Sequence, residues 1–165
     1  MLTKASSFSV DRDTNTVHVS RGFAAPRDLV WSAWTEAEHL NRWWGPAPYR
    51  AETKELDFRV GGRWLYAMVG PEGVAGYSRA NFTAITPKSE FRSHTSFCDA
   101  DGEVAPGWRG SEWQVRFTAE GNATRVDIHI KYPDLTVLEK MLEMGFREGF
   151  TRCLDQLADL LAHQK

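Results

Sequence analysis

Val17, Val19 and Phe23 alternate with His18, Ser20 and Gly22, a period of two that predicts a half-buried strand after the polar lead-in ending in Asp11-Arg-Asp-Thr-Asn15. Pro26 suits the first turn of a helix, and Leu29, Val30, Ala33 and Trp34 recur at three- and four-residue spacing, so a first helix buries one stripe. Thr35 and Glu38 have the spacing of a capping box and Gly45-Pro46 reads as a stop, which places a second, short helix between them. On that helix Leu40, Trp43 and Trp44 share a face, while Glu36, Asn41 and Arg42 are expected to meet water.

From Tyr49 onward the period is two again. Leu56, Phe58 and Val60, then Trp64, Tyr66 and Met68, then Ala80, Phe82 and Ala84 each predict a strand. Phe91 and Phe97 bracket a weaker one with mostly polar residues between them. Trp113, Val115 and Phe117, followed by Val126, Ile128, Ile130 and Tyr132, alternate cleanly. Turn signals separate these runs at Gly61-Gly62, Pro71-Glu-Gly73, Thr86-Pro87-Lys88, Asp101-Gly102 and Glu120-Gly-Asn122, so the segment reads as an antiparallel meander with one buried face.

Leu138, Met141, Leu142, Phe146, Phe150, Cys153, Leu154, Leu157, Leu160 and Leu161 trace one long amphipathic helix running nearly to Lys165. Gly145 and Gly149 sit inside this pattern, where each costs about 0.5 to 1 kcal/mol relative to alanine. On a helical wheel both look toward the sheet. They either let two backbones approach closely or leave space for a ligand.

The 165 residues, 42% hydrophobic and 25% charged, suit one globular domain with its own core. No repeat or linker interrupts them, so residues 1–165 read as a single domain with its core at about 14–163. A net charge of -2 without any run of Lys or Arg excludes the electrostatic footprint of a nucleic-acid or anionic-membrane binder. No segment has the apolar length of a secretory signal or a membrane span, so a cytoplasmic location is expected. Cys98 and Cys153 are too isolated for a disulfide framework or a metal site and read as packed thiols; no metal or cofactor is expected.

Several short stretches keep a recognisable order: Phe23-Ala-Ala-Pro26 with Val30-Trp31, Trp34-Thr35-Glu36 and Leu40 leading to Trp43-Trp44-Gly45-Pro46, Asp57-x-Arg59-x-Gly61-Gly62, and Gly145-Phe146 with Gly149 and Leu154-Asp-Gln-Leu157. With the order of elements, they make the chain resemble the SRPBCC superfamily, also called START-like or Bet v-like. Within it the likeness is to the activator of heat-shock protein 90 ATPase homologue-like family, over roughly residues 14 to 163. The resemblance implies an α+β helix-grip fold: a curved antiparallel sheet of six to seven strands wrapped around a long C-terminal helix, with two short helices after the first strand. It also implies a largely apolar internal cavity between helix and sheet. The eukaryotic co-chaperones that name the family carry a further N-terminal domain, for which this chain has no room, so direct chaperone activation is not expected.

Aromatic walls with few polar groups suit an apolar ligand, and seven tryptophans exceed ordinary usage. Trp34, Trp44, Trp64, Tyr66, Trp113, Phe117, Met141, Gly145, Phe146 and Gly149 are the expected cavity wall. The Trp43-Trp44 pair either anchors the short helix or lines the cavity mouth. Asp57 and Arg59 read as a solvated ion pair, His39 and His129 as exposed, and Gly70-x-x-Gly73-x-x-Gly76 as a hairpin loop rather than a dinucleotide fingerprint. No nucleophile elbow or phosphate loop is present. The expected function is the binding of one small apolar or aromatic molecule without catalysis. The alternatives are a cyclase, dehydratase or hydrolase acting on an aromatic or polyketide-like substrate, and a chaperone- or stress-linked protein-interaction module. Neither nucleic acid nor membrane is an expected partner, and a homodimer stays open.

Overall fold

The alternating segments pair into one antiparallel sheet. In the computed structural model, which describes residues 6–107 and 109–163, the strands are β1 (Ser6–Asp11), β2 (Thr16–Phe23), β3 (Arg50–Leu56), β4 (Arg63–Gly70), β5 (Gly73–Thr86), β6 (Glu90–Cys98), β7 (Ser111–Glu120) and β8 (Ala123–Lys131). Their spatial order is β1-β2-β8-β7-β6-β5-β4-β3. The helices are α1 (Arg27–Thr35), α2 (Ala37–Trp43), α3 (Leu135–Glu143) and α4 (Phe146–Ala162). This is the helix-grip architecture, with eight strands among the described residues instead of six to seven.

The added strand is β1, hidden in the polar lead-in. Phe8 and Val10 alternate with serines, too weak a signal alone, and β1 is held by its pairing with β2 from Ser6↔Arg21 to Asp11↔Thr16. Residues 1–5 of the lead-in and the expected helix end near Lys165 lie outside the described residues; α4 closes at Ala162, with His163 as its C-cap.

Several local expectations are corrected. Thr35 caps nothing: it ends α1, and its hydroxyl donates to the Trp31 carbonyl at 2.8 Å, while α2 starts from Glu36 without a side-chain cap. Asn41 does not simply face water, since its Oδ1 accepts from both the amide and the hydroxyl of Thr53 at 3.0 and 2.8 Å. The strand assigned around Leu56 ends there. Phe58 turns inward, its ring 4.8 Å from that of Phe82, and Val60 is left exposed. A register shift between Phe82 and Ala84 puts Ala84 outside the core. His39 and His129 are half-buried rather than exposed. The Asp57–Arg59 ion pair is solvated, at 2.8 Å.

The largest correction concerns the last helix, which is two. Asp134 caps α3 by accepting from the Val137 amide at 2.9 Å, and the segment stops where the Met144 amide reaches the Lys140 carbonyl and the Gly145 amide the Leu142 carbonyl. Gly145 then adopts φ +92°, the left-handed conformation that ends a helix and that glycine takes without side-chain strain. The apolar stripe continues across the break because Phe146 restarts it, stacked on Phe150 at 5.3 Å. Periodicity therefore could not show the interruption.

The core runs from Val17, Val19 and Phe23 through Val126, Ile128 and Ile130 to Leu154, Leu157 and Leu161. Trp43 belongs to it: the side chain is fully buried, its Nε1 donates to the Ala33 carbonyl at 2.8 Å, and it meets Trp34 edge-on. Arg21 of β2 reaches across to α4, where its Nη1 donates to Asp155 at 2.6 Å.

Candidate functional site

Between the inward face of β4–β7 and the α3–α4 pair lies a cavity of about 500 Å³. Its far wall is the segment after α2. There Gly45, at φ +109°, brings the backbone so close to β3 that an added Cβ would lie 2.9 Å from the Arg50 Cα. Gln156 of α4 holds that segment with three hydrogen bonds, donating to the Trp43 and Gly45 carbonyls and accepting from the Ala47 amide. The mouth is marked by Tyr49 and Met144, both on the wall and both exposed.

Of the expected wall residues, Trp44, Tyr66, Trp113, Met141, Gly145, Phe146 and Gly149 line this cavity. Trp34 and Trp64 do not. They border a separate inner void of about 40 Å³, whose other walls include Trp44, Tyr66, Thr95 and Trp113. Phe117 borders neither and is buried in the core, edge-on to Trp31 at 5.1 Å. The Trp43-Trp44 pair divides its work, with Trp43 packing α2 and Trp44 contributing wall. Gly149 faces the space: a Cβ there would meet only the Pro46 Cγ, at an ordinary 3.6 Å.

The polar part of the wall escaped the sequence reading. Ser78, Thr95, Ser111 and Tyr132 all line the cavity, as does Cys153. Their signal was present, because Ser78, Thr95 and Ser111 occupy inward positions that alternation reserves for apolar side chains. The indoles of the wall are pinned to such hydroxyls: Trp44 Nε1 donates to the Tyr66 hydroxyl at 2.9 Å, and Trp113 Nε1 to Ser111 Oγ at 3.0 Å. Buried Trp34 Nε1 has no hydrogen-bond partner among the described residues.

Burial keeps Tyr66, Tyr132 and Cys153 neutral. Desolvation pushes the Tyr66 phenol up to about 12 against the opposing hydrogen bonds from Trp44 and Ser78. Desolvation alone pushes Tyr132 still further above its usual value. The Cys153 thiol rises to about 11, again through burial, although it accepts from the Gly45 amide at 3.3 Å. Among the described residues none that lines the cavity is an Asp, Glu, Lys, Arg or His. Among the described residues no cluster of three or more His, Cys, Asp or Glu could hold a metal ion, and no helix is long and apolar enough to cross a membrane.

A sheet folded over a C-terminal helix, with an apolar space kept between them, defines a helix-grip protein of the SRPBCC, Bet v-like kind. The family model described as Activator of Hsp90 ATPase homolog 1-like protein matches residues 24–162, and the chain belongs to that family. Among solved structures, protein Ms6760 from Mycobacterium smegmatis is 28% identical over 98% of this chain and 100% of its own, with a TM-score of 0.88. A protein from Arthrobacter aurescens is also 28% identical, over 94% of this chain and 91% of its own, with a TM-score of 0.88. CalU16 from Micromonospora echinospora, 20% identical over 98% and 88% with a TM-score of 0.67, is similar in fold alone. No curated protein compared with the chain matches it significantly.

Proposed function

We propose that the chain binds one small apolar or aromatic molecule in the cavity between sheet and helices and releases it unchanged. The observation that carries this reading is a space of about 500 Å³, open at Tyr49 and Met144 and walled by aromatic rings, methionines and a few hydroxyls. That size and mixture suit a drug-sized ligand. Binding without transformation fits the chemistry of the wall. General acid–base catalysis needs a group that titrates near the working pH, whereas the Tyr66 and Tyr132 phenols and the Cys153 thiol are held protonated well above neutrality. The test is titration with Nile red, an uncharged dye whose emission shifts to the blue in an apolar site. A saturable blue shift at one dye per chain, abolished by Gly149→Leu, is expected. An unsaturable response, or saturation that Gly149→Leu leaves intact, overturns the reading.

A further inference from the structure

We infer that the molecule held in this cavity is uncharged and carries an acceptor oxygen, a carbonyl or ether, that docks on a belt of hydroxyl groups across the cavity floor. The inference rests on the binding reading above and names the chemistry that the site selects. Strand register builds the belt. Tyr66 of β4 lies opposite Ser78 of β5, and Thr95 of β6 lies opposite Ser111 of β7. Tyr132, just past β8, reaches the same floor.

Hydroxyls at these inward positions are costly in a cavity meant for a hydrocarbon, because a buried polar group without a partner loses its water and gains nothing. The direction of the existing bonds says what is missing. Tyr66 and Ser111 each already accept a hydrogen bond from a wall indole, Trp44 and Trp113 respectively, so what each has left to offer is mainly its own proton. Ser78, opposite it in the sheet, also bonds the Tyr66 hydroxyl. Among the described residues neither the Ser111 hydroxyl nor that of Tyr132, at the end of a largely buried side chain, donates to a protein acceptor. Thr95 meets the Ser93 hydroxyl at 3.4 Å, where either can be the donor, so the protons left over are chiefly those of Ser111 and Tyr132, and they call for a ligand oxygen. A carboxylate would supply oxygens too, but with no Lys, Arg or His on the wall among the described residues nothing would offset the loss of its hydration.

Three matched probes separate these possibilities by displacement of Nile red: fluorene, its ketone 9-fluorenone, and fluorene-9-carboxylate at pH 7.5. They are measured on the native chain and on Thr95→Val/Tyr132→Phe, whose replacements keep shape and remove only hydroxyls. The ratio of fluorenone to fluorene affinity is expected to fall by about 3- to 10-fold in the variant. The carboxylate is expected to bind the native chain more than about 100-fold more weakly than fluorenone. Tyr132→Phe alone, which deletes a hydroxyl that donates to no acceptor among the described residues, is expected to keep the native melting temperature and lower the same ratio. An unchanged ratio in both variants, a carboxylate within tenfold of the ketone, or no displacement by any probe while Nile red binds overturns the inference and leaves the binding reading standing. Failure of Nile red itself to bind removes both.

Discussion

Gly145 and Gly149 are one helical turn apart in the sequence, and alanine at the two positions is expected to move stability in opposite directions. Gly149 lies within α4, its amide bonded to the Gly145 carbonyl at 2.9 Å, and a methyl there meets the Pro46 Cγ at 3.6 Å, an ordinary contact. Gly149→Ala therefore recovers the helix propensity that glycine forfeits, about 0.5–1 kcal/mol, which for a domain of this size is a rise in melting temperature of roughly 1–4 °C. At Gly145 a Cβ would meet no atom within 4 Å, so space is not the obstacle; the backbone is, at φ +92°. Gly145→Ala is expected to cost about 1–2 kcal/mol and lower the melting temperature by roughly 2–8 °C. Thermal unfolding followed by circular dichroism measures both variants against the native chain. If Gly145→Ala were as stabilising as Gly149→Ala, α3 and α4 would be one continuous helix, and the account of the break given above would be wrong.

Gly149→Leu, which should fill the cavity from the helix side, is expected to keep the native melting temperature within a few degrees while abolishing dye uptake, read in the same two assays; a large fall in melting temperature would show a close contact at Gly149 instead. Asp155→Asn removes the charge facing the largely buried Arg21 and is expected to cost about 1–2 kcal/mol, less than a fully buried pair because Asp155 itself is exposed; a chemical denaturation midpoint indistinguishable from native would refute it. Trp43→Ala empties the fully buried site beneath α2 and orphans the Ala33 carbonyl from its indole, an expected loss of about 3–5 kcal/mol by the same measurement. Desolvation, with a further contribution from the His18 ring stacked 4.2 Å away, lowers the His129 pKa, outweighing Asp127; the folded chain therefore resists a proton that the unfolded chain accepts. Stability is then fully present above the unfolded value of about 6.5, falls as the pH drops below it, and levels off beneath the lowered folded value, so His129→Gln should flatten that decline in melts across this window.

What the sequence could say depended on how each residue is constrained. The strands β4, β7 and β8 were legible because Trp64, Tyr66, Trp113, Val115, Ile128 and Ile130 put one face in the core, and a period of two follows from the pleat itself. β1 was not, since its six residues are held by hydrogen bonds to β2 rather than by a buried face of their own. The aromatic wall was half legible. Composition announced it, but which of Trp34, Trp43, Trp44 and Trp64 reaches the cavity depends on χ angles and on where α2 ends, neither of which a pattern encodes. The hydroxyl belt is the instructive omission: inward-facing Thr95 made β6 look weakly patterned, when it was a trace of the site. Gln156 was invisible because its three partners lie more than a hundred residues away in the chain.

The place of β8 in the sheet has a consequence for how the chain must be made. β2 has β1 on one side and β8 on the other, with Val19 opposite Ile128, so the first long strand waits for the last one. A chain growing from its N-terminus completes β3 to β7 while the inner edge of β2 and the outer edge of β7 are both unpaired. Closing so long a loop is slow, and for that interval Val115 and Phe117 sit on an open strand edge able to template the wrong partner. Translation that stalls before Ala123 therefore yields no smaller version of the protein, only two edges without the strand that joins them. The last stretch of synthesis, from Ala123 onward, turns an aggregation hazard into a fold.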